Sequence, residues 1–326
     1  MEKVNWGIIG PGRIAESFAK GIAFVDNAVL HSVASSRKER ADAFAGKYSV
    51  KNSYGSYSEM LDDPGLDAVY IATPHSFHYD NVKLCLNAGK SVLCEKPLTI
   101  NEKMGRELVD LARSKNLFFM EALWSRFLPI YTDVRDWLDG SRIGDIRLIC
   151  ANFGINVPYD LNDRWYNPDL AGGALLDLGV YPIAVTQWIL NENPVTVKAE
   201  AVMTETKVDQ LTAGVLKYPS GVIMQMNCGF AAQALNDLKI YGSKGSITIH
   251  HCFWATDSAT LETEDNKLTV TRPFKASGFE YEIGAATKAI IEGKLECSGI
   301  TLDDTLGTLR VMDTIREQIG LKYPFE

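Results

Sequence analysis

The nine residues GIIGPGRIA, 7–15, constrain the fold of this chain more than any other stretch. Gly10, Gly12 and Ala15 stand as G-x-G-x-x-A directly after the apolar run VNWGIIG. RIAESFAKGIAF follows, with Ile14, Phe18, Ala19 and Ile22 at helical spacing. In a strand–turn–helix of this kind Gly10 permits the tight turn, and Gly12 lets the backbone approach a pyrophosphate. Ala15 keeps helix and strand close, and the helix N-terminus, with Arg13 and Ile14 in its first turn, faces the anion. A lone motif is weak evidence for a dinucleotide site, but here the flanking strand and helix are those the motif demands.

The rhythm that follows agrees. Strand runs AVLHSVASS, LDAVYIATP, SVLCE and LFFME alternate with helical runs KERADAFAGKY, HYDNVKLCLNAG and NEKMGRELVDLARSKN. Strands separated by helices pair in parallel, so the fold class is α/β, a doubly wound parallel sheet over residues 1–122. Beyond residue 122 the runs TVKAEAVMT, QLTAGVLKY and VIMQMNCGF are longer, and LKIYGSKGSITIH and ATLETEDNKLTV read as hairpins. Helices are predicted over 172–190 (GGALLDLGVYPIAVTQWIL) and 302–320. Residues 123–326 should therefore form an α+β domain with an open, mainly antiparallel sheet, its C-terminal helix able to pack back on the first domain. A chain of 326 residues is longer than one core usually covers, which also favours two domains.

Net charge −8 and a pI near 5.3 argue against nucleic acid or anionic membranes as partners. The apolar stretch 172–190 contains Asp177, Pro182 and Gln187, which suits a core helix better than a membrane span. MEKVNWGIIG opens on a strand rather than a signal peptide. Six dispersed cysteines without a C-x-x-C pair, and five dispersed histidines, favour neither a disulfide framework nor a metal site. A soluble, metal-free cytoplasmic protein is expected.

The end of the second strand bears on the cofactor. An NAD site usually offers an acid there for the ribose hydroxyls. This chain reads Ser35-Ser36-Arg37-Lys38, with no acid until Glu39. Two hydroxyls and an arginine suit a 2′-phosphate, so NADP(H) is favoured over NAD. Arg37 and Lys38 also read as solvated residues opening a helix.

Lys96 lies between Glu95 and Pro97 in SVLCEKPLT. Proline pushes the preceding residue out of the helical region, so Lys96 sits at a strand end, on the sheet edge that borders a ligand crevice. Thr73-Pro74-His75 ends the preceding strand at the same edge. Further on, Asp177 and Tyr181 stand four residues apart, a spacing that shares one helix face. An ordinary tyrosine, with a pKa near ~10, is a poor base at neutral pH, and a nearby ammonium would favour the tyrosinate. Lys96 with Tyr181, and Asp177 orienting the ammonium, make a sensible proton-transfer set. A surface acid beside a half-buried ring is the bland alternative.

Five motifs taken in order (GIIGPGRIA, ATPHSFH, CEKPLT, EALWSRFLP and GGALLDLGVYP) resemble the glucose–fructose oxidoreductase, inositol dehydrogenase and MocA family over nearly the whole chain. MEALWSRFLP and GGALLDLGVYP most resemble its branch of dimeric dihydrodiol dehydrogenases and NADP-dependent D-xylose 1-dehydrogenases. The resemblance implies a Rossmann domain in which Gly10, Gly12 and Ala15 hold the pyrophosphate and Arg37 the 2′-phosphate. Thr73, Pro74 and His78 fall in the family's second cofactor loop, and Glu95, Lys96 and Pro97 match its E-K-P motif, whose lysine lies near nicotinamide and substrate. Asp177 matches the acidic position, and Tyr181 the acid/base position that other branches fill with histidine. A homodimer through the open sheet is implied as well.

Candidates for substrate contact are Trp124 and Arg126 first, then Phe153, Trp165, Trp254 and Phe279, with Arg164 a weaker one. Singly, such rings are more often core than pocket. The expected activity is NADP-dependent hydride transfer at a sugar, polyol or trans-dihydrodiol hydroxyl. A non-catalytic NADP-binding sensor would be expected to lose Lys96, Asp177 or Tyr181, and all three are present. An NAD-dependent inositol-type dehydrogenase would prefer an acid near Ser35 and a histidine at 181.

Overall fold

The computed structural model describes residues 2–161 and 163–326. In chain order the elements are β1 (Val4–Ile9), α1 (Arg13–Ile22), β2 (Ala28–Ala34), α2 (Lys38–Tyr48), β3 (Asn52–Tyr54), α3 (Tyr57–Leu61), β4 (Ala68–Ile71), α4 (His78–Asn87), β5 (Ser91–Glu95), α5 (Glu102–Lys115) and β6 (Phe119–Ala122). Then come α6 (Pro129–Asp139), β7 (Ile146–Gly154), α7 (Val180–Leu190), β8 (Thr196–Met203), β9 (Asp209–Lys217), β10 (Ile223–Gly229), β11 (Leu238–Gly242), β12 (Gly245–Ile249), β13 (Ser258–Thr263), β14 (Lys267–Thr271), α8 (Phe279–Ile291) and α9 (Leu302–Ile319). They fall into two compact units. The first comprises residues up to Thr99, Lys103–Phe127 and Lys275–Thr305; the second comprises Ile100–Glu102, Leu128–Phe274 and Leu306–Glu326.

In the first unit the strands lie in the order β3-β2-β1-β4-β5-β6, all neighbours parallel. β4 is wholly buried, as a strand covered on both faces must be. Phe18 of α1 packs edge-on to Trp6 and stacks on Tyr70 at 4.0 Å, fixing the helix on the sheet. The strand order reverses between β1 and β4, and sheets of this kind bind ligands beyond the carboxyl ends of their strands at that switch point.

The division differs from the expected break at residue 122. Segment 275–305, with α8, belongs to the first unit. Trp6 Nε1 donates to Thr287 Oγ1 (3.1 Å) and Ser277 Oγ to the Ser17 carbonyl (2.9 Å). A Cβ on Gly21 would fall 2.8 Å from the Glu280 amide, so α1 and α8 approach backbone to backbone. The last helix, predicted as able to return to the first domain, lies mostly in the second unit. Periodicity marks a helix; it does not say which core the helix covers.

In the second unit β7–β14 form one sheet, ordered β14-β13-β12-β11-β7-β10-β9-β8, antiparallel at every pair except β7–β10. Register separates its faces. The row Leu216, Met224, Ile149, Ile240, Ile247 and Leu261 is fully buried. The neighbouring row, Lys198, Val215, Gln225, Cys150, Lys239 and Thr248, points the other way and is exposed or half-buried. The stretch predicted as one helix over 172–190 is broken into a glycine turn, a π-helical turn over Leu175–Gly179 and then α7, which is buried on nearly every side.

Candidate active site

β1 runs into Gly10, whose φ of +86° and 2.9 Å gap from a would-be Cβ to Thr73 Cγ2 both require glycine. Gly12 is different. Its φ of −104° suits any residue, and a Cβ there would meet nothing nearer than the Gly10 carbonyl at 4.0 Å. Packing within the unit does not demand glycine at this position, and a ligand approaching the backbone has room there. Gly12 also starts α1 with no side-chain cap, which leaves first-turn amides to receive an anion. Ala15 is buried as expected, whereas Ile14, placed in the apolar stripe on spacing, is 38% exposed.

At the end of β2, Ser35 is buried and its Oγ accepts from the Arg37 amide (3.3 Å), while Ser36 and Arg37 are exposed. Lys38 is engaged with Asp42 and Ser53. Arg37 forms no ion pair among the described residues, and Glu39 is the first acid past the strand. Donors and charges here fit a dinucleotide carrying a 2′-phosphate.

His78 is fully buried, with Nδ1 2.9 Å from the Pro97 carbonyl and Nε2 2.9 Å from the Thr73 carbonyl. Burial, more than the positive charge of Lys96, holds its pKa below the usual histidine value. A neutral ring donates from one nitrogen at a time, so His78 can donate to one of these two carbonyls and ties together the turns that carry Thr73 and Pro97. Pro74 is half-buried, and His75 is buried edge-on to His78.

Lys96 itself is half-buried, directly after the buried Glu95, which accepts a hydrogen bond from the Tyr70 hydroxyl. Glu282 of α8 is fully buried with no hydrogen-bond partner among the described residues on either carboxyl oxygen, and burial, then the neighbouring Glu95, pushes its pKa well above the usual range. Glu121 is also raised by burial; it accepts from the Leu98 amide and the Thr305 hydroxyl, both at 2.9 Å. Tyr70, Glu121 and Glu282 carry no local sequence signal, because only the fold gathers them behind the E-K-P turn.

Among the substrate candidates of this unit, Trp124 is half-buried and lies 4.8 Å from the buried ring of Phe279. The Arg126 side chain is 2% exposed, and its Nη1 sits 3.1 Å from Asp304 within the same unit.

The second unit builds its cluster around the Gly172–Gly173 turn. Gly172 and Gly173 donate to the Asn167 and Trp165 carbonyls, each at 2.9 Å. Arg164, from the same folded-back segment, reaches Asp177 with Nη2 at 3.0 Å and covers the Trp165 ring at 4.1 Å. Tyr181 opens α7, buried 5.8 Å from Phe153, which stacks on Trp254. Trp165 is set edge-on to Phe230 and not in this aromatic group. The structure thus gathers two groups along this stretch: Arg164 with Asp177, and Tyr181 with the stacked rings of Phe153 and Trp254. Because Asp177 lies in the π turn, it reaches the region of Tyr181 by a different winding from the α-helical spacing expected.

A nucleotide-dependent oxidoreductase is the class that this fold and these residues define. Residues 4–123 match the model of an oxidoreductase family with an NAD-binding Rossmann fold, and residues 131–248 match the GFO/IDH/MocA C-terminal domain. The chain belongs to the GFO/IDH/MocA oxidoreductase family. It is 36% identical to trans-1,2-dihydrobenzene-1,2-diol dehydrogenase of Xenopus laevis, over 98% of this chain and 99% of that one. It is 31% identical to D-xylose 1-dehydrogenase (NADP(+)) of Hypocrea jecorina, over 98% and 93%. A 3-ketoreductase from Actinomadura kijaniata, solved with NADP and TDP-benzene, superposes with a TM-score of 0.86 at 27% identity, over 97% of this chain and 98% of that one.

Proposed function

We propose that this protein transfers hydride between NADP(H) and a hydroxyl or carbonyl carbon of a sugar, polyol or trans-dihydrodiol. The exposed Arg37, standing where an NAD site would carry an acid, is the observation that carries the cofactor choice. Relatives whose names specify a dihydrodiol, D-xylose and NADP(+) support the substrate class. NADP+, which Gly10, Gly12 and Arg37 would hold, would supply the hydride acceptor. On oxidation the substrate hydroxyl gives its proton to Tyr181 Oη as hydride leaves the same carbon; on reduction Tyr181 returns it. In this proposal Lys96 is the charge that would favour the ionised phenol during turnover, and Arg164 holds Asp177 in the turn that precedes Tyr181. Trp124 in the first unit, and separately Phe153 and Trp254 in the second, are the rings proposed to meet the apolar side of the substrate.

Initial rates of NADP+ and NAD+ reduction with D-xylose, other aldoses, polyols and trans-1,2-dihydrobenzene-1,2-diol test this reading, with Tyr181→Phe alongside. Turnover that prefers NADP+ and disappears in the variant is the expected result. Tight NADPH binding without turnover of any compound would replace the enzyme by a nucleotide sensor.

The same reading makes the protein a cytoplasmic homodimer. Its six cysteines are unpaired thiols, which suits a reducing compartment. The outward row of the second sheet is dominated by neutral and apolar side chains around Val215, flanked by Lys198 and Lys239. Val215→Glu should convert a dimer to a monomer in analytical ultracentrifugation; an unchanged sedimentation coefficient would move the interface elsewhere.

A further inference from the structure

We infer that Asp209 and Tyr323, neither near the glycine turn in sequence, are positioning residues that clamp Gly172–Leu175 and thereby fix Asp177 and Tyr181. The inference rests on the proposed roles of those two residues.

Asp209 begins β9 and is completely buried. Its Oδ2 accepts from the Leu175 amide and from Thr212 Oγ1, both at 2.7 Å. The Ala174 amide is a further donor to the same carboxylate. These are the first amides of the segment that winds through the π turn into α7, so Asp209 supplies from another strand the cap that the chain does not place locally. Gly173 shows how close the fit is: its φ is +118°, and a Cβ there would lie inside contact distance of Asp209 Oδ1.

Tyr323 acts on the other side. Its hydroxyl donates to the Gly172 carbonyl at 2.7 Å, and its ring lies under the Arg316 guanidinium at 4.9 Å. Arg316 in turn bonds the Ile100 carbonyl at 2.7 Å and the Glu326 carboxylate, and Glu326 accepts from the Tyr323 amide at 2.9 Å. The last residues of the chain are therefore knotted to α9 and deliver one hydroxyl to the turn. On the turn's remaining side a Cβ at Gly172 would come within 2.6–2.9 Å of the Arg164, Trp165 and Asn167 carbonyls, leaving it no room to relax that way.

The groups facing Asp209 are Thr212 on its own strand, Cys228 on β10, and Tyr323, whose ring also feels Asp177, Arg316 and Glu326. Among these, no cation pairs with Asp209. Burial accordingly raises its carboxyl to about 6, against the pull of its hydrogen bonds, and it remains mostly ionised at neutral pH, where a carboxylate accepts best.

Backbone hydrogen exchange of segment 172–181 in the full-length protein, measured for wild type, Asp209→Ala, Asp209→Asn and Tyr323→Phe, tests the clamp. kcat and KM with D-xylose and with trans-1,2-dihydrobenzene-1,2-diol, and the NADPH dissociation constant, accompany it. Asp209→Ala should exchange at least tenfold faster in this segment and lose at least tenfold in kcat, with NADPH affinity within twofold. Asp209→Asn, which keeps a carbonyl acceptor, should recover most of both. Tyr323→Phe should shift both about threefold, and it decides the matter if Asp209→Ala does not fold. Exchange and kcat within 1.5-fold of wild type in Tyr323→Phe, or within twofold in a folded Asp209→Ala, would overturn the clamp. If the wild type turns over neither compound, the proposed function fails, and the exchange rates alone still decide whether the turn is clamped.

Discussion

Two glycine pairs open helices in this molecule, and they are built to opposite ends. After β1, Gly10 and Gly12 lead into α1, whose N-terminus carries no side-chain cap and has open space beside Gly12. In the second unit, Gly172 and Gly173 lead into the Leu175–Leu190 helical stretch, and every direction around them is filled by this chain's own atoms: three carbonyls, the Tyr323 hydroxyl and the Asp209 carboxylate. Helix N-termini attract anions. In the proposed function the first turn receives the cofactor's phosphate and acts as a receptor, while the second, its amide satisfied by a buried internal acid, is the mount for the proposed reactive side chains.

The largest effect should fall on what the mount carries. Tyr181→Phe removes the proposed proton-transfer group and should lower kcat by about 10²–10⁴-fold. NADPH affinity, set by the open turn, should stay within about threefold. A fall in affinity comparable to the fall in rate would mean that receptor and mount are not separate devices.

The glycines themselves divide the same way. Gly173→Ala meets both a left-handed φ of +118° and the Asp209 carboxylate, and should cost roughly 2–4 kcal/mol in urea unfolding. Gly12→Ala adopts its φ of −104° without strain and should change stability by about 0.5 kcal/mol or less. Its loss should appear in NADPH affinity, by tenfold or more, because the methyl group takes the space of a phosphate. If Gly12→Ala were the destabilising member, the comparison would be inverted.

This contrast also explains what was legible beforehand. The receptor turn is local: strand, glycines and helix follow one another within residues 4–22, so spacing alone places them. Lys96, one residue past a strand end, was placed by the same kind of evidence. The mount is assembled from segments far apart. Asp209 sits on β9, Tyr323 near the chain end, and Arg164 in the segment that folds back. No short pattern encodes those meetings. The same limit hides the Arg126–Asp304 pair and α8, a helix not read from the sequence, whose Thr287 meets Trp6 of β1. Tyr181 and Asp177 were legible as residues, but the π turn that carries Asp177 was not.

A smaller, pH-dependent effect separates Asp209 from an ordinary surface acid. Its carboxyl is raised from 3.8 to about 6 in the folded protein, so the folded state holds its proton more tightly than the unfolded one. The stability it lends is whole below pH 4 and is lost as pH rises through 6, about 3 kcal/mol in all. Asp209→Asn has no such titration. Its unfolding free energy relative to wild type should therefore improve by roughly that amount from pH 4 to pH 7. A constant difference across that range would show that Asp209 is not buried as an ionised cap.

The smallest effect tests the receptor at its far end. Arg37 is exposed, at the start of α2, and contributes nothing to packing that its loss would expose. Its value lies in a charge-assisted bond to a 2′-phosphate, worth about 1.5–3 kcal/mol. Arg37→Ala should then weaken NADP+ binding by roughly 10–100-fold and leave NAD+ unchanged, since NAD+ lacks the group the guanidinium would meet. Added salt should erode the wild-type preference and spare the variant, because an exposed ion pair is screened. Equal losses for both cofactors would assign Arg37 to the shape of the β2–α2 turn, and selection for NADP would then fall to Ser35 and Ser36.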